Sequence, residues 1–210
     1  PFWTLGAVSY LDHVASPTRY NKHRDYLNPV LMKKFGWIYD IIIEKLQGEF
    51  DEPVVLDGFL SYPGFHIFAA KTGDVILKEY TKLFEKSLGS VHVDVQYEEH
   101  HEYWQTFKEV NFTNDDIMSF TISLDLPSGG GGLYTWADEV NPYSFNYTTT
   151  ENKMNELEHE KVPHQYNRGE MVYFRGHLLH QMMPGVNVKP TDKRITCLLY
   201  TSDAADEIAS

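Results

Sequence analysis

Cysteine is almost absent from this chain: Cys197 is the single one among 210 residues. One thiol excludes an internal disulfide framework and a multi-cysteine zinc site. Basic residues are also scarce, with 18 Lys and Arg against 30 Asp and Glu, for a formal charge of −12. Duplex nucleic-acid binders carry the opposite balance, and an anionic membrane surface would repel this chain, so no nucleic-acid partner is expected. Long apolar runs are missing as well. None approaches the roughly 18 residues of a membrane span, and no signal peptide is recognised. The expectation is therefore no membrane span and, by default, a cytoplasmic location. The chain starts at Pro1 rather than Met, and its N-terminus is expected to be incomplete.

What is present suits a packed domain. Hydrophobic residues make up 42%, charged residues 23% and aromatics 14% of the chain. That excludes global disorder and favours a β-rich core or an aromatic-lined pocket. The segment from Cys197 to Glu207 resembles the in-frame translation of a transposase-type sequencing adapter. Residues 197–210 are accordingly expected to be a non-native tail, and no role is given to Cys197.

Asn28-Pro29 reads as a helix start, with Asn as cap and Pro in the first turn. Apolar residues then recur at three and four through Phe35, Ile38, Ile42 and Leu46, predicting an amphipathic helix over about 29–48. Residues 64–70 read as a strand and 75–88 as a short helix. Strand patterns follow at 91–95, 120–126, 133–136, 170–174, around 178–182 and at 194–196, while 138–166 is a polar excursion. The fold class expected is mainly β with flanking helices (α+β), in the sandwich-or-closed-barrel sense, as one domain over 1–196. Helical support would occupy about 1–60 and the barrel about 61–196.

His92-Val-Asp94 places an imidazole and a carboxylate two residues apart, hence on one face of a strand. The valines beside them would face the other way. A second such triplet, His23-Arg24-Asp25, lies in a polar stretch without alternation and reads as a solvated segment. Further on, Gly169-Glu-Met-Val-Tyr-Phe174 is a strand, and after Gly176 a second strand carries His180. Arg194 and Thr196 would share one face of a later strand, a pairing that suits capture of a carboxylate.

In this order the parts resemble the 2-oxoglutarate- and iron(II)-dependent dioxygenases, the prolyl-hydroxylase-like oxygenases. The family pattern is a His-x-Asp, a distal His and a basic residue beyond it. The Gly run between 120–126 and 133–136, and Pro184 after His180, fit the same frame over about residues 60–196. The resemblance implies a double-stranded β-helix, or jelly roll, with an N-terminal helical support. It implies His92, Asp94 and His180 as ligands of Fe(II) and Arg194, assisted by Thr196, as anchor of 2-oxoglutarate. It also implies use of O2 with release of succinate and CO2, ascorbate as a reductant, and hydroxylation of a small-molecule or peptidyl substrate. Asp94 speaks against the halogenating branch, which lacks the carboxylate ligand. Arg194 stands fourteen residues past His180, and Lys189 or Lys193 is the alternative anchor. Two other readings stay open: a non-catalytic jelly-roll binding module, and a cupin-type metalloenzyme that uses no 2-oxoglutarate. Oligomeric state is not legible.

Other residues have ordinary readings. His177 is an alternative to His180, but three residues apart on a strand the two face opposite ways. His100-His101 reads as a solvated loop, and His101-Glu102 does not complete a zinc motif because position 105 is Gln. Gly129–Gly132 reads as a turn between strands, since no Gly-Lys-Ser/Thr follows. Asn111 and Asn146 begin glycosylation sequons, which matter only in a secreted protein. Tyr103, Trp104, Tyr134 and Trp136 read as core, with a pocket wall as the alternative. Tyr173 and Ser123 are candidate hydrogen-bond partners around the ligands.

Overall fold

The computed structural model describes residues 2–7, 16–51, 53–72, 75–76, 84–86, 91–94, 118–139 and 161–199. In chain order the elements are β1 (Phe2–Leu5), α1 (Pro17–Phe50), β2 (Gly64–Ala69), β3 (Lys71–Thr72), β4 (Val75–Ile76), β5 (Met118–Asp125), β6 (Leu133–Glu139), β7 (Val162–His164), β8 (Met171–Arg175), β9 (Leu178–Met182) and β10 (Lys193–Leu199). Among the described residues the protein is mostly β with one helix. The strands form a five-stranded sheet in the order β1-β2-β10-β5-β8, a three-stranded sheet β7-β6-β9 and the pair β3-β4. Every pairing is antiparallel. No described helix is long and apolar enough to cross a membrane.

The helix is longer than its apolar period predicts. It starts at Pro17, not Pro29, and Pro29 lies inside it. An internal proline removes one helical hydrogen bond and disfavours the turn before it by about 3 kcal/mol. Side chains on one face offset that cost. Tyr20, Arg24 and Asn28 recur every four residues, and each bonds the backbone of 59–62. The Tyr20 hydroxyl accepts from Ser61 N–H at 3.0 Å, and the Arg24 guanidinium donates to the Phe59 carbonyl. Asn28, expected to be a cap, donates to the Leu60 carbonyl at 2.9 Å and accepts from Tyr62 N–H at 3.0 Å. About three turns further on, the Tyr39 hydroxyl donates to the Pro63 carbonyl at 2.9 Å. The helix ends where Asp51 turns left-handed (φ 54°) and its N–H bonds the Gln47 carbonyl.

Leu31, Ile38, Tyr39 and Ile42 lay the helix across one face of the five-stranded sheet, against Phe65, Phe120, Ile122 and Cys197. The period-2 alternation then decides the other face. Ser119, Thr121 and Ser123 of β5, His66 of β2, and Arg194 and Thr196 of β10 point away from the helix, and all are buried. The register aligns Thr196 with His66 on one side and with Ser123 on the other. One face of the sheet is thus an apolar helix seat and the other a buried polar floor.

Three local readings change. Residues 75–76, expected in a helix, pair with 71–72 as β4, and 77–83 lie outside the described residues. Within the excursion, 162–164 pairs with β6; Pro163 cannot donate to a ladder, which hid the strand. β10, expected over 194–196, spans 193–199, and Cys197, which pairs with Phe65 and Ile122, is fully buried. The Gly run behaves as a turn. Gly130 has φ +71°, and a Cβ there would sit 2.2 Å from the Pro184 carbonyl oxygen; at Gly132 it would sit 2.0 Å from that of His164.

Candidate metal centre

His92 and Asp94 reach one spot because the valines between and before them are committed elsewhere. Val91 and Val93 pack with Trp136 and Leu179. His92 is held to β9 by a two-way backbone bridge with His180, at 3.0 and 2.9 Å, and Asp94 N–H bonds the Gly176 carbonyl at 2.7 Å. This brings the two imidazoles together, with ring centroids 4.3 Å apart. Asp94 Oδ1 lies 4.0 Å from His92 Nε2 and 3.8 Å from His180 Nε2. The three residues are 2–3% exposed, and one ligand atom from each lies within 4.8 Å of the others.

The donor chemistry fits a divalent metal. His180 Nδ1 lies 2.8 Å from the Leu178 carbonyl. A carbonyl only accepts, so Nδ1 carries the proton and Nε2 presents its lone pair. Burial, then the neighbouring His92, holds the His180 pKa well below its ordinary value, which keeps the ring neutral as a metal ligand requires. His180 Nε2 has no hydrogen-bond partner. Two imidazoles and one carboxylate so placed could hold a divalent metal ion.

The polar floor also carries a buried cation. Arg194 is 2% exposed, and its Nε and Nη1 have no hydrogen-bond partner among the described residues. No described carboxylate forms an ion pair with it. Burial lowers its pKa to about 10, so it remains charged at neutral pH. The Tyr166 ring lies 5.8 Å from the guanidinium carbon. Its hydroxyl is buried near Thr121 but outside hydrogen-bonding geometry. Burial pushes the Tyr166 pKa up to about 12, while the charges of Arg194 and Asp94 act on it in opposite senses. Tyr166 is therefore near both the cation and the triad. Ser123 Oγ, fully buried on the polar floor, also lacks a partner. A guanidinium, a phenol and a hydroxyl with hydrogen-bonding capacity unmet among the described residues could pair with an anion.

No protein-family model and no curated protein matches this chain. Among the solved structures that resemble it are two described as an N-substituted L-amino acid dioxygenase from Burkholderia ambifaria AMMD. The one in complex with alpha-KG has a TM-score of 0.38 at 16% identity, covering 54% of this chain and 44% of that one. The other has a TM-score of 0.47 at 12% identity, covering 89% and 65%. The chain spans less than two thirds of either neighbour's length, and both likenesses are distant.

The remaining candidates fall outside the cluster. Lys189 and Lys193 are exposed, so Arg194 is the basic side chain that lies inside. His177 is buried in the β8–β9 turn and is not among the three converging residues. His23 and Asp25 are exposed on α1. Trp136 is core, with Tyr134 packed against it. Tyr173 is 38% exposed and donates to Glu49 at the end of the helix, at 2.6 Å, away from the triad. His100, His101, Tyr103, Trp104, Asn111 and Asn146 lie outside the described residues. Sequence reasoning passed over Ser119, His66 and Tyr166. His66 lay in a recognised strand, at a polar position of the alternation, and Ser119 lay one residue before the strand expected at 120–126. Tyr166 follows a strand hidden by its proline.

Proposed function

We propose that this chain is a 2-oxoglutarate- and iron(II)-dependent oxygenase, built on a jelly-roll domain over residues 1–196, that hydroxylates an unactivated C–H of a small-molecule or peptidyl substrate. One observation carries the reading: a fully buried guanidinium with unpartnered donors in the same interior as a buried His-Asp-His cluster. A buried, unpaired charge is costly unless a ligand pairs with it. A metal cluster alone would need no such cation.

His92, Asp94 and His180 would hold the iron. Arg194 would pair with the far carboxylate of 2-oxoglutarate, with hydroxyls from Thr196, Ser123 and Tyr166 close by. When bound, the metal supplies the redox chemistry that couples decarboxylation of 2-oxoglutarate by O2 to substrate oxidation; ascorbate is a suitable reductant. The protein's own part is to keep His180 in the ligating tautomer, orient the co-substrate and exclude water.

Anaerobic titration with Fe(II) and 2-oxoglutarate tests this by a visible charge-transfer band. The band is expected in the wild-type protein, absent in His180→Ala and weakened in Arg194→Ala. A folded protein that binds iron through His180 but shows no band with 2-oxoglutarate would point to a cupin-type metalloenzyme. One that binds neither would point to a binding module.

A further inference from the structure

The carboxylate of Asp94 has two oxygens, and the fold treats them differently. Oδ1 is turned toward both histidine Nε2 atoms, at 4.0 and 3.8 Å. Oδ2 accepts a hydrogen bond from Ser119 Oγ. Ser119 is 2% exposed and lies on β5 opposite Phe174 of β8. Phe174 in turn packs against the His180 ring, with centroids 4.7 Å apart. A hydroxyl so placed on an inward strand face has no solvent to bond, and Asp94 is its polar partner. The contact also joins the two sheets: Asp94 is backbone-bonded to the β8–β9 turn and side-chain-bonded to the five-stranded sheet.

We propose that Ser119 is a positioning residue of the metal centre. It fixes the plane of the Asp94 carboxylate, engages Oδ2 and presents Oδ1 alone to the metal. This rests on the metal-site reading above and deepens it. Without the hydroxyl, Oδ2 loses this bond, and more of the ordering of the ligand must come from metal binding itself. Partners of ligating groups that act this way typically alter metal affinity by about 10–100-fold when removed.

A double-mutant cycle on metal affinity separates this role from mere packing. The probe is Co(II) alone, anaerobic and without co-substrate, with binding followed by calorimetry and visible absorption. Ser119→Ala is expected to weaken binding by about 10–100-fold. Ser119→Thr keeps the hydroxyl and is expected to recover most of the affinity. In an Asp94→Ala background, Ser119→Ala is expected to change the remaining affinity by less than about twofold, because the group it acts through is gone. Ser119→Cys, nearly the same size but a weak donor, is the second variant should Ser119→Ala fail to melt cooperatively; it is expected to weaken binding like Ala.

An unchanged affinity in Ser119→Ala or Ser119→Cys overturns the proposal, as does an equal loss in the Asp94→Ala background. Failure of the underlying reading looks different. There the wild-type protein itself would bind no Co(II), or His180→Ala would bind it as tightly.

Discussion

Arg194→Met makes an opposed pair of predictions that few structural residues would satisfy. Methionine keeps much of the side-chain volume and removes the charge. In the fold, burial holds the guanidinium pKa at about 10, below its ordinary value. Each pKa unit corresponds to about 1.4 kcal/mol, so at neutral pH the charge works against the fold by roughly 3–4 kcal/mol. Because the folded pKa is the depressed one, the unfolded chain binds more protons above pH 10. The penalty is therefore complete at neutral pH and is relieved only as pH rises through 10. Removing the charge should stabilise the ligand-free protein by about 1–3 kcal/mol, since buried unpaired charges are often replaced by apolar groups at a gain. The same change should abolish stabilisation by 2-oxoglutarate. Urea denaturation at pH 7, with and without 2-oxoglutarate and the metal, measures both. Wild type is expected to be the less stable protein alone and to gain with the ligand; Arg194→Met should begin higher and gain little. If Arg194→Met is destabilised by more than about 1 kcal/mol, the guanidinium is part of a satisfied structural network, and the anion-cradle argument fails.

Three further outcomes follow from the fold. Burial and the charge of Arg194 hold the His66 pKa at about 4, so the folded protein keeps it neutral while the unfolded chain protonates near pH 6.5. Stability should fall as pH drops from about 6.5 toward 4, and His66→Gln should flatten part of that slope in urea midpoints; an unchanged slope would remove His66 from the polar floor. Asn28→Ala strips two hydrogen bonds that tie α1 to 60–62, leaving a carbonyl and an N–H unpaired. A loss of about 2–3 kcal/mol is expected by chemical denaturation, and a loss under about 0.5 kcal/mol would mean the tie is dispensable. Gly132→Ala sets a methyl 2.0 Å from the His164 carbonyl oxygen and should disturb the β6–β7 pairing, lowering the melting midpoint by several degrees; an unaffected midpoint would show that the turn can shift.

Periodicity made most strands legible because one face of each is apolar and packed. It located β2, β5, β6, β8, β9 and β10 to within a few residues. It failed where the determinants were polar and distant in sequence. The first half of α1 is held by Tyr20, Arg24 and Asn28 reaching the backbone of 59–62, and no local pattern announces such partners. The same limit applied at the site. His92, Asp94, His180 and Arg194 formed a set in the sequence through the family resemblance rather than through spacing, and the first three lie together in the fold. Ser119 and Thr121 were not legible, since the polar side of an alternating strand is ordinarily its wet side.

That inference inverts here for a physical reason. The apolar side of β5 is used up against the helix, and the polar side is closed in the folded protein, leaving Ser119, Thr121 and Ser123 all buried. A sheet that buries both faces and needs only a core would carry apolar residues on both. Retaining hydroxyls, an imidazole and a guanidinium on the second face works against stability, because each group must give up water. Some of that loss is met inside the protein, as where Ser119 bonds Asp94. At Arg194 and Ser123 no partner is found among the described residues, and on the function proposed above those donors are where the co-substrate would bond. A strand with small polar residues on one face, set between a helix-packed face and a His-x-Asp segment, is therefore better read as a ligand wall than as a solvent face.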